Sequence, residues 1–409
     1  MVNKLHNKKI LENAKKILSA YKLCDPCLGR LFAQIEKGML NQERGATLRK
    51  HLKQNTKTKV KDCWLCGGLL DEIPHFVDLI SNVLANYEFD TFLIGSKVDE
   101  DILQREQELW QFAGSDHAES IKTEVNREIG KPLEEKLQKE VRFENPAIMA
   151  VVDTAFDVVT LQIASLFVYG RYKKYVRDLP QTKWFCKICH GKGCRRCNYT
   201  GKLYETSIEE LIAQPFLEQT SGNAESFHGC GREDIDVRML GNGRPFVLEI
   251  KNPKRRSINL SQIKDQINAH NKDLIEVGDL CFSDRKEIAR IKNASFRKIY
   301  RIEFKSEKPI NKEKLKKAIQ ALRGKTIGQQ TPSRVAHRRA DMVREKQIYS
   351  CSIESIEGAI ATLTLEAESG TYIKELISGD DGKTKPNLSE LIGIPCNVTA
   401  LDVIEIKGE

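Results

Sequence analysis

No apolar run in these 409 residues approaches the roughly 20 needed to span a bilayer. That absence excludes a helical membrane protein. The opening stretch, MVNKLHNKKILENAKKIL, scatters lysines and has no apolar h-region. It is therefore not a secretory signal, and the expectation is a cytoplasmic protein, or a nuclear one in a eukaryote. Glycine-rich cofactor loops are missing as well. Neither SGNAES (Ser221–Ser226) nor the GNGRP stretch has the spacing that holds a methyl-donor cofactor or a pyrophosphate, which argues against enzymes built on those loops. Acidic residues are absent from 181–204, where six Lys/Arg stand unopposed.

Charge is distributed unevenly along the chain. Residues 1–67 carry a net +10, residues 68–180 a net −9, residues 181–204 a net +6 and residues 205–409 a net +2. Two compact basic modules thus flank an acidic one. Runs of charge are often only solvated faces. Here they coincide with cysteine clusters, which favours a polyanionic partner bound in a salt-dependent way.

Eight of the twelve cysteines fall into four CxxC pairs, and in a cytosolic chain such pairs read as metal sites rather than disulfides. Cys24, Cys27, Cys63 and Cys66 give C-x2-C-x35-C-x2-C with a helical spacer. Cys186, Cys189, Cys194 and Cys197 give C-x2-C-x4-C-x2-C, with Gly191 and Gly193 permitting a tight reversal. Four thiolates close a tetrahedral shell, so two structural zinc ions are expected, with His190 only a substitute ligand. Cys230, Cys281, Cys351 and Cys396 are expected to be small core residues.

Periodicity predicts helices over Leu5–Tyr21, Leu40–Gln54, Ile73–Tyr87, Lys97–Gly114 and His117–Leu137, with strands over Asp90–Ile94, Ala147–Val152 and Asp157–Ile163. Beyond residue 205, five alternating runs read as mostly antiparallel strands: Phe246–Lys251, Leu274–Phe282, Phe296–Phe304, Ile348–Ile353 and Ile360–Glu366. Leu260–His270 and Lys312–Leu322 read as helices. The fold class is α+β, multidomain, with a mixed, mostly antiparallel sheet in the C-terminal half. Four modules are expected: 1–67, 68–180, 181–204 and 205–409. The stretch Tyr169–Arg177 interleaves aromatics with bases. It can be read as an RNA-stacking strip or as a strand end with a solvated face. Within GREDIDVRMLGNGRPFVLEIK, Asp234 and Asp236 would share a face if the segment were a regular strand. The residues alone do not choose between them.

Seven ordered motifs carry a resemblance over nearly the whole chain: CDPCLGRLFA (24–33), CWLCGG (63–68), FLIGSKV (92–98), YGRYKKYVRDLPQTKW (169–184), GREDIDVRMLGNGRPF (231–246), QQTPSRVAHRRAD (329–341) and GTYIKELISGDDGKTKPNLSELIG (370–393). The chain resembles the archaeal and eukaryotic tRNA pseudouridine synthases that modify the TΨC loop, at positions 54 and/or 55 of tRNA. The resemblance implies an N-terminal zinc-binding and THUMP RNA-binding region before a C-terminal pseudouridine synthase fold. It implies that Asp234 is the nucleophile and Lys374 its basic partner, with Arg232 in support and Asp236 structural. It places Tyr300 and Lys298 (K-x-Y) and Tyr372 (G-T-Y-I-K) at the substrate, and Leu391 beneath the base; Arg338 and Arg339 are expected at the substrate on the residues alone, as bases of a loop placed to clamp a folded RNA. It also matches Cys24/Cys27 and Cys63/Cys66 to an accessory zinc site. The isomerisation implied needs no cofactor; the partner is tRNA, with no membrane and no obligatory protein partner. The rival reading is a catalytically silent, zinc-dependent tRNA-binding scaffold or chaperone. It would keep the cysteine pairs but would not need Asp234, Tyr300 and Lys374 together.

Overall fold

The computed structural model describes residues 4–36, 38–54 and 57–408, with the side chains of His337 and Arg338 outside that description. The chain divides into two compact units. One comprises residues 1–164 and 252–256, the other residues 165–251 and 257–409. Four modules were expected from charge; packing groups the chain into two.

The first unit opens with α1 (Lys8–Ala20), α2 (Asp25–Arg30) and α3 (Asn41–His51). A Cβ on Gly45 would lie 1.9 Å from the Asp25 carbonyl oxygen, and one on Gly29 1.8 Å from that of Asn41. Glycine at both crossings therefore lets the two backbones touch. Next come α4 (Ile73–Leu84), β1 (Thr91–Lys97), α5 (Glu100–Ala113), α6 (Ile121–Leu137), β2 (Glu140–Val141), β3 (Ile148–Asp153) and β4 (Val158–Ile163). The four strands form one sheet in the order β2-β1-β3-β4, parallel except for the β3–β4 hairpin. β3 alternates buried and half-buried side chains, which marks a sheet with one covered face. Buried Arg30 lies between Glu106 (3.3 Å) and Glu124 (3.4 Å).

The second unit begins with β5 (Leu166–Lys174), α7 (Ile208–Thr220), β6 (Ala224–Gly229), β7 (Arg238–Lys251), α8 (Leu260–His270), β8 (Ile275–Val277), β9 (Cys281–Ser283) and α9 (Arg285–Asn293). It continues through β10 (Lys298–Ser306), α10 (Lys312–Leu322), β11 (Thr326–Gln330), β12 (Val343–Glu357), β13 (Ile360–Ala367), α11 (Ile373–Ser378), β14 (Thr384–Lys385), α12 (Leu388–Ile392) and β15 (Cys396–Ile406). These strands build one long sheet, β14-β11-β12-β13-β10-β15-β7-β5-β8, with β6 added on β7 and β9 on β5. Every pairing is antiparallel except β15 with β7, which pair in parallel at Asp402↔Arg238 and Val403↔Met239. The α+β class with a mixed, mostly antiparallel sheet is thus observed.

Three expectations change. Leu274–Phe282 is two short strands, β8 and β9, rather than one. Cys281 is exposed, whereas Cys230, Cys351 and Cys396 are buried. The Tyr169–Arg177 strip lies largely in β5 and is committed internally. Tyr172 and Lys174 are fully buried. Arg171 donates to the carbonyls of Asn242 and Gly243. Lys173 pairs with Glu276, and Arg177 pairs with Asp402. Those groups are not available as a stacking strip for RNA.

Candidate active-site cleft and two thiolate clusters

The segment before β7 is a loop, not a strand. Val237 N–H donates to Asp234 O at 3.0 Å, which closes a turn over Asp234–Val237. Asp234 and Asp236 therefore do not share a strand face. The loop is fixed from below by buried groups. Glu233 is turned inward, with Arg244 Nε 2.7 Å from its Oε2. The Tyr172 hydroxyl donates to the same carboxylate at 2.8 Å, and Gln181 Nε2 donates to Tyr172 Oη at 2.9 Å. Lys174 Nζ donates to Ile235 O at 2.9 Å. The buried Arg244 guanidinium is held by this ion pair and by the bond that its Nη1 donates to Cys230 O at 2.7 Å.

With Glu233 and Ile235 tied down, Asp234 faces a cleft of about 610 Å³. Eight Lys/Arg side chains line that cleft against two acids, a surplus of positive charge that suits a polyanion. The side chains brought together include Asp234, Tyr300, Tyr372, Lys374, Lys298, Arg232 and Arg339, all expected from sequence. Arg338 was also expected there; its side chain lies outside the described residues. Tyr300 projects from β10 and is only 7% exposed. Burial pushes its hydroxyl up to about 12, so it stays neutral. Lys298 is on the same face of β10. Burial, reinforced by Arg244, pulls its ammonium down to about 8. Tyr372 caps α11, and its backbone is clamped by buried Gln329. The Tyr372 N–H donates to Gln329 Oε1 at 2.8 Å, and Gln329 Nε2 donates to Tyr372 O at 2.9 Å. That clamp sets where α11 begins and hence where Lys374 points.

The electrostatic partners differ from those expected. Lys374 Nζ lies 2.7 Å from Asp236 Oδ2 and 3.7 Å from Asp234 Oδ2. Partial burial opposes ionisation of Asp236, but the Lys374 ammonium outweighs it and holds the carboxyl below its ordinary range. The cation in direct contact with Asp234 is Arg334, whose Nη1 donates to Oδ2 at 2.7 Å. Arg334 Nε also donates to buried Glu375 at 2.6 Å, so one guanidinium joins two carboxylates. Arg232 lines the cleft, yet its guanidinium lies 5.1 Å from the centroid of the Trp184 ring. Leu391 is on α12, exposed, and does not line the cleft; Val237, Leu401 and Val403 supply apolar lining instead. Arg334 was legible only as one base in the SRVAHRRAD loop; no spacing singled it out.

The cysteine pairs converge as their spacing required. Each set of four Sγ atoms lies within 4.8 Å of one another. Cys24 and Cys66 are 3.9 Å apart, Cys186 and Cys194 3.9 Å, Cys189 and Cys197 3.8 Å. Tetrahedral zinc with bonds of about 2.3 Å needs sulfur–sulfur edges of about 3.8 Å, so both sets fit such an ion. Backbone N–H groups of Cys24 and Gly201 donate to Cys63 Sγ and Cys197 Sγ, which favours the thiolate form that a metal ion binds. His190 is outside the second set.

Comparison with known proteins places this arrangement. A model described as "Pus10, C-terminal" matches residues 167–407, and one described as "Pus10 THUMP domain, archaeal" matches residues 76–153. The tRNA pseudouridine synthase Pus10 of Methanothrix thermoacetophila is 37% identical over 98% of this chain and 95% of its own. That of Methanothermobacter marburgensis is 41% identical over 94% of this chain and 95% of its own. A solved Cbf5-Nop10-Gar1 complex aligns with 58% of this chain and 49% of its own at 13% identity, with a TM-score of 0.32. Two family models in sequence order and relatives matched end to end agree with the cleft and the thiolate sets: the chain belongs to the Pus10 family of tRNA pseudouridine synthases.

Proposed function

We propose that this protein is an isomerase that converts uridine to pseudouridine in the TΨC loop of tRNA, with Asp234 as nucleophile. The observation that carries the reading is the shared cleft of Asp234, Tyr300, Tyr372 and Lys374, in a chain of this family. Opened from its loop, the uridine enters the cation-lined cleft. The Asp234 carboxylate attacks C1′ of the ribose or C6 of the base. The N1–C1′ bond breaks, the uracil turns, and a C5–C1′ bond forms. The C5 proton is released and N1 gains one, so no electrons are exchanged. Arg334 aims one Asp234 oxygen, while Lys374 keeps positive charge near both acids. The neutral Tyr300 ring offers a face to the detached base and leaves in-plane rotation free. Lys298, Arg339 and Arg232 contribute charge toward phosphate.

Each thiolate set is proposed to hold one structural zinc. The four sequence modules are kept as working parts: a zinc module, a THUMP RNA-binding module, a zinc knuckle and the catalytic domain. The setting is cytoplasmic. Among the described residues, no helix is long and apolar enough to cross a membrane.

Incubating the protein with unmodified tRNA transcript, without added cofactor, and mapping pseudouridine tests the reading. Product is expected in the TΨC loop. It is expected to vanish in Asp234→Ala while tRNA affinity stays within about threefold, because a carboxylate in a cationic cleft adds nothing to phosphate binding. Activity surviving in Asp234→Ala would remove the nucleophile assignment. Binding without product in the parent protein would favour a scaffold.

A further inference from the structure

The zinc knuckle has two features that its structural role leaves unexplained. The first is unpaired charge. At its stalk, Lys183 is paired with Glu225 and Lys202 with Glu210. At its tip, Lys187, Lys192, Arg195 and Arg196 are exposed and have no acidic partner among the described residues. Four cations exceed the two negative charges that a zinc tetrathiolate would carry, so neutralising the cluster does not account for them. The second is exposed apolar surface. Tyr199 is 72% exposed, and Phe185 and Ile188 are each 58% exposed. Aromatic and aliphatic groups left in water beside unopposed cations match a strand that offers phosphates outside and base faces inside.

The knuckle is also tightly turned and adjoins the catalytic cleft. A Cβ on Gly201 would lie 2.5 Å from the Gly191 carbonyl oxygen, so the tip is closed upon itself. Phe185 bridges to Lys202, and Leu203 N–H donates to Trp184 O at 2.8 Å, forming a two-stranded stalk. Trp184 is the residue beneath the guanidinium of Arg232, which lines the cleft.

We infer that the knuckle tip binds the RNA beside the target loop, its cations on stem phosphates and Tyr199 against an unpaired base. This rests on the tRNA reading above and adds a second contact to it. An acidic protein would match the charge but gives no reason for the contact with the cleft rim.

The test uses the full-length protein and the isolated TΨC stem–loop as probe. Variants are the triple Lys192→Ala, Arg195→Ala, Arg196→Ala, then Tyr199→Ala and Tyr199→Phe. Readouts are Kd across a salt series, single-turnover rate at saturating RNA, and zinc per chain. The triple variant is expected to weaken binding about tenfold or more and to flatten the log–log salt slope by about 2 to 3, near 0.9 per phosphate lost. Tyr199→Ala is expected to weaken binding about tenfold with the slope unchanged, and Tyr199→Phe to stay within about twofold. Single-turnover rates should match the parent. Should the triple variant lose zinc, the Tyr199 pair decides. Parent-like Kd and slope would overturn the inference, as would an effect seen only with whole tRNA or only with a protein ligand. A parent that binds RNA but forms no pseudouridine would overturn the functional reading instead, and the Kd comparison would still judge the knuckle.

Discussion

Arg334 holds two carboxylates that are 141 positions apart in the chain, and the geometry of Asp234 depends on it. Arg334→Lys keeps the charge but loses the fork that spans both acids. Single-turnover pseudouridine formation is expected to fall about 10–100-fold with tRNA affinity within about threefold, since one misplaced reacting group costs on that order. Lys298 gives a prediction of opposite sign for stability. Its ammonium is depressed to about 8 from 10.5 by burial and by Arg244. Between those values the unfolded chain binds the extra proton, so folding strengthens as pH rises through that window. Below about pH 8 the charged, buried group costs at most about 3 kcal/mol, at about 1.4 kcal/mol per pKa unit. Lys298→Met is expected to raise Tm at pH 7 and to lose that advantage as pH approaches 10.5, which calorimetry across pH would show. That Asp234, Tyr300 and Tyr372 share one cleft was legible because motifs carried them. Arg334 was not, because its partners come from a loop and a helix that only the folded chain brings together.

At the scale of elements, the cleft depends on the inward turn of Glu233. Glu233→Gln would leave the Arg244 guanidinium buried without a counter-charge, and it is expected to cost about 3–5 kcal/mol in urea unfolding. Tyr172→Phe, which removes one neutral donor to the same carboxylate, should cost about 1–2 kcal/mol. A reversed order of the two would show that the loop is held in some other way. Helices α8 and α10 were legible to the residue, because their apolar positions recur at helical spacing between an Asn cap and a polar end. α7 was not, because Pro215 interrupts its pattern. α9 was not, because RKEIARIKN has too few apolar residues to show a stripe. The turn over Asp234–Val237 is not legible in the sequence, because alternating charge can be read as a strand edge; what folds it into a turn is the buried Arg244, remote from the pattern.

Each unit has one large core among the described residues, and the thiolate sets stand differently toward these two. Cys24, Cys27, Cys63 and Cys66 are part of the first unit's hydrophobic core, while Cys186–Cys197 lies outside the second unit's. Elemental analysis is expected to find about two zinc ions per chain. Cys24→Ser should remove one and lower the melting of the first unit. Cys186→Ser should remove one and leave both main transitions near their parent temperatures. Equal thermal effects would show that the knuckle supports the second core. The charge map gave four modules because charge reports on surfaces; packing gives two units because β5, with its internally used bases, belongs to the second sheet. The inward turn of Glu233 has a genetic consequence. Support for the loop passes through the residues on either side of Asp234, so losing that carboxylate, the proposed nucleophile, is expected to leave the fold in place. An Asp234→Ala allele should therefore act as a dominant negative: a stable protein that occupies tRNA, turns nothing over, and competes with its active counterpart in the same cell.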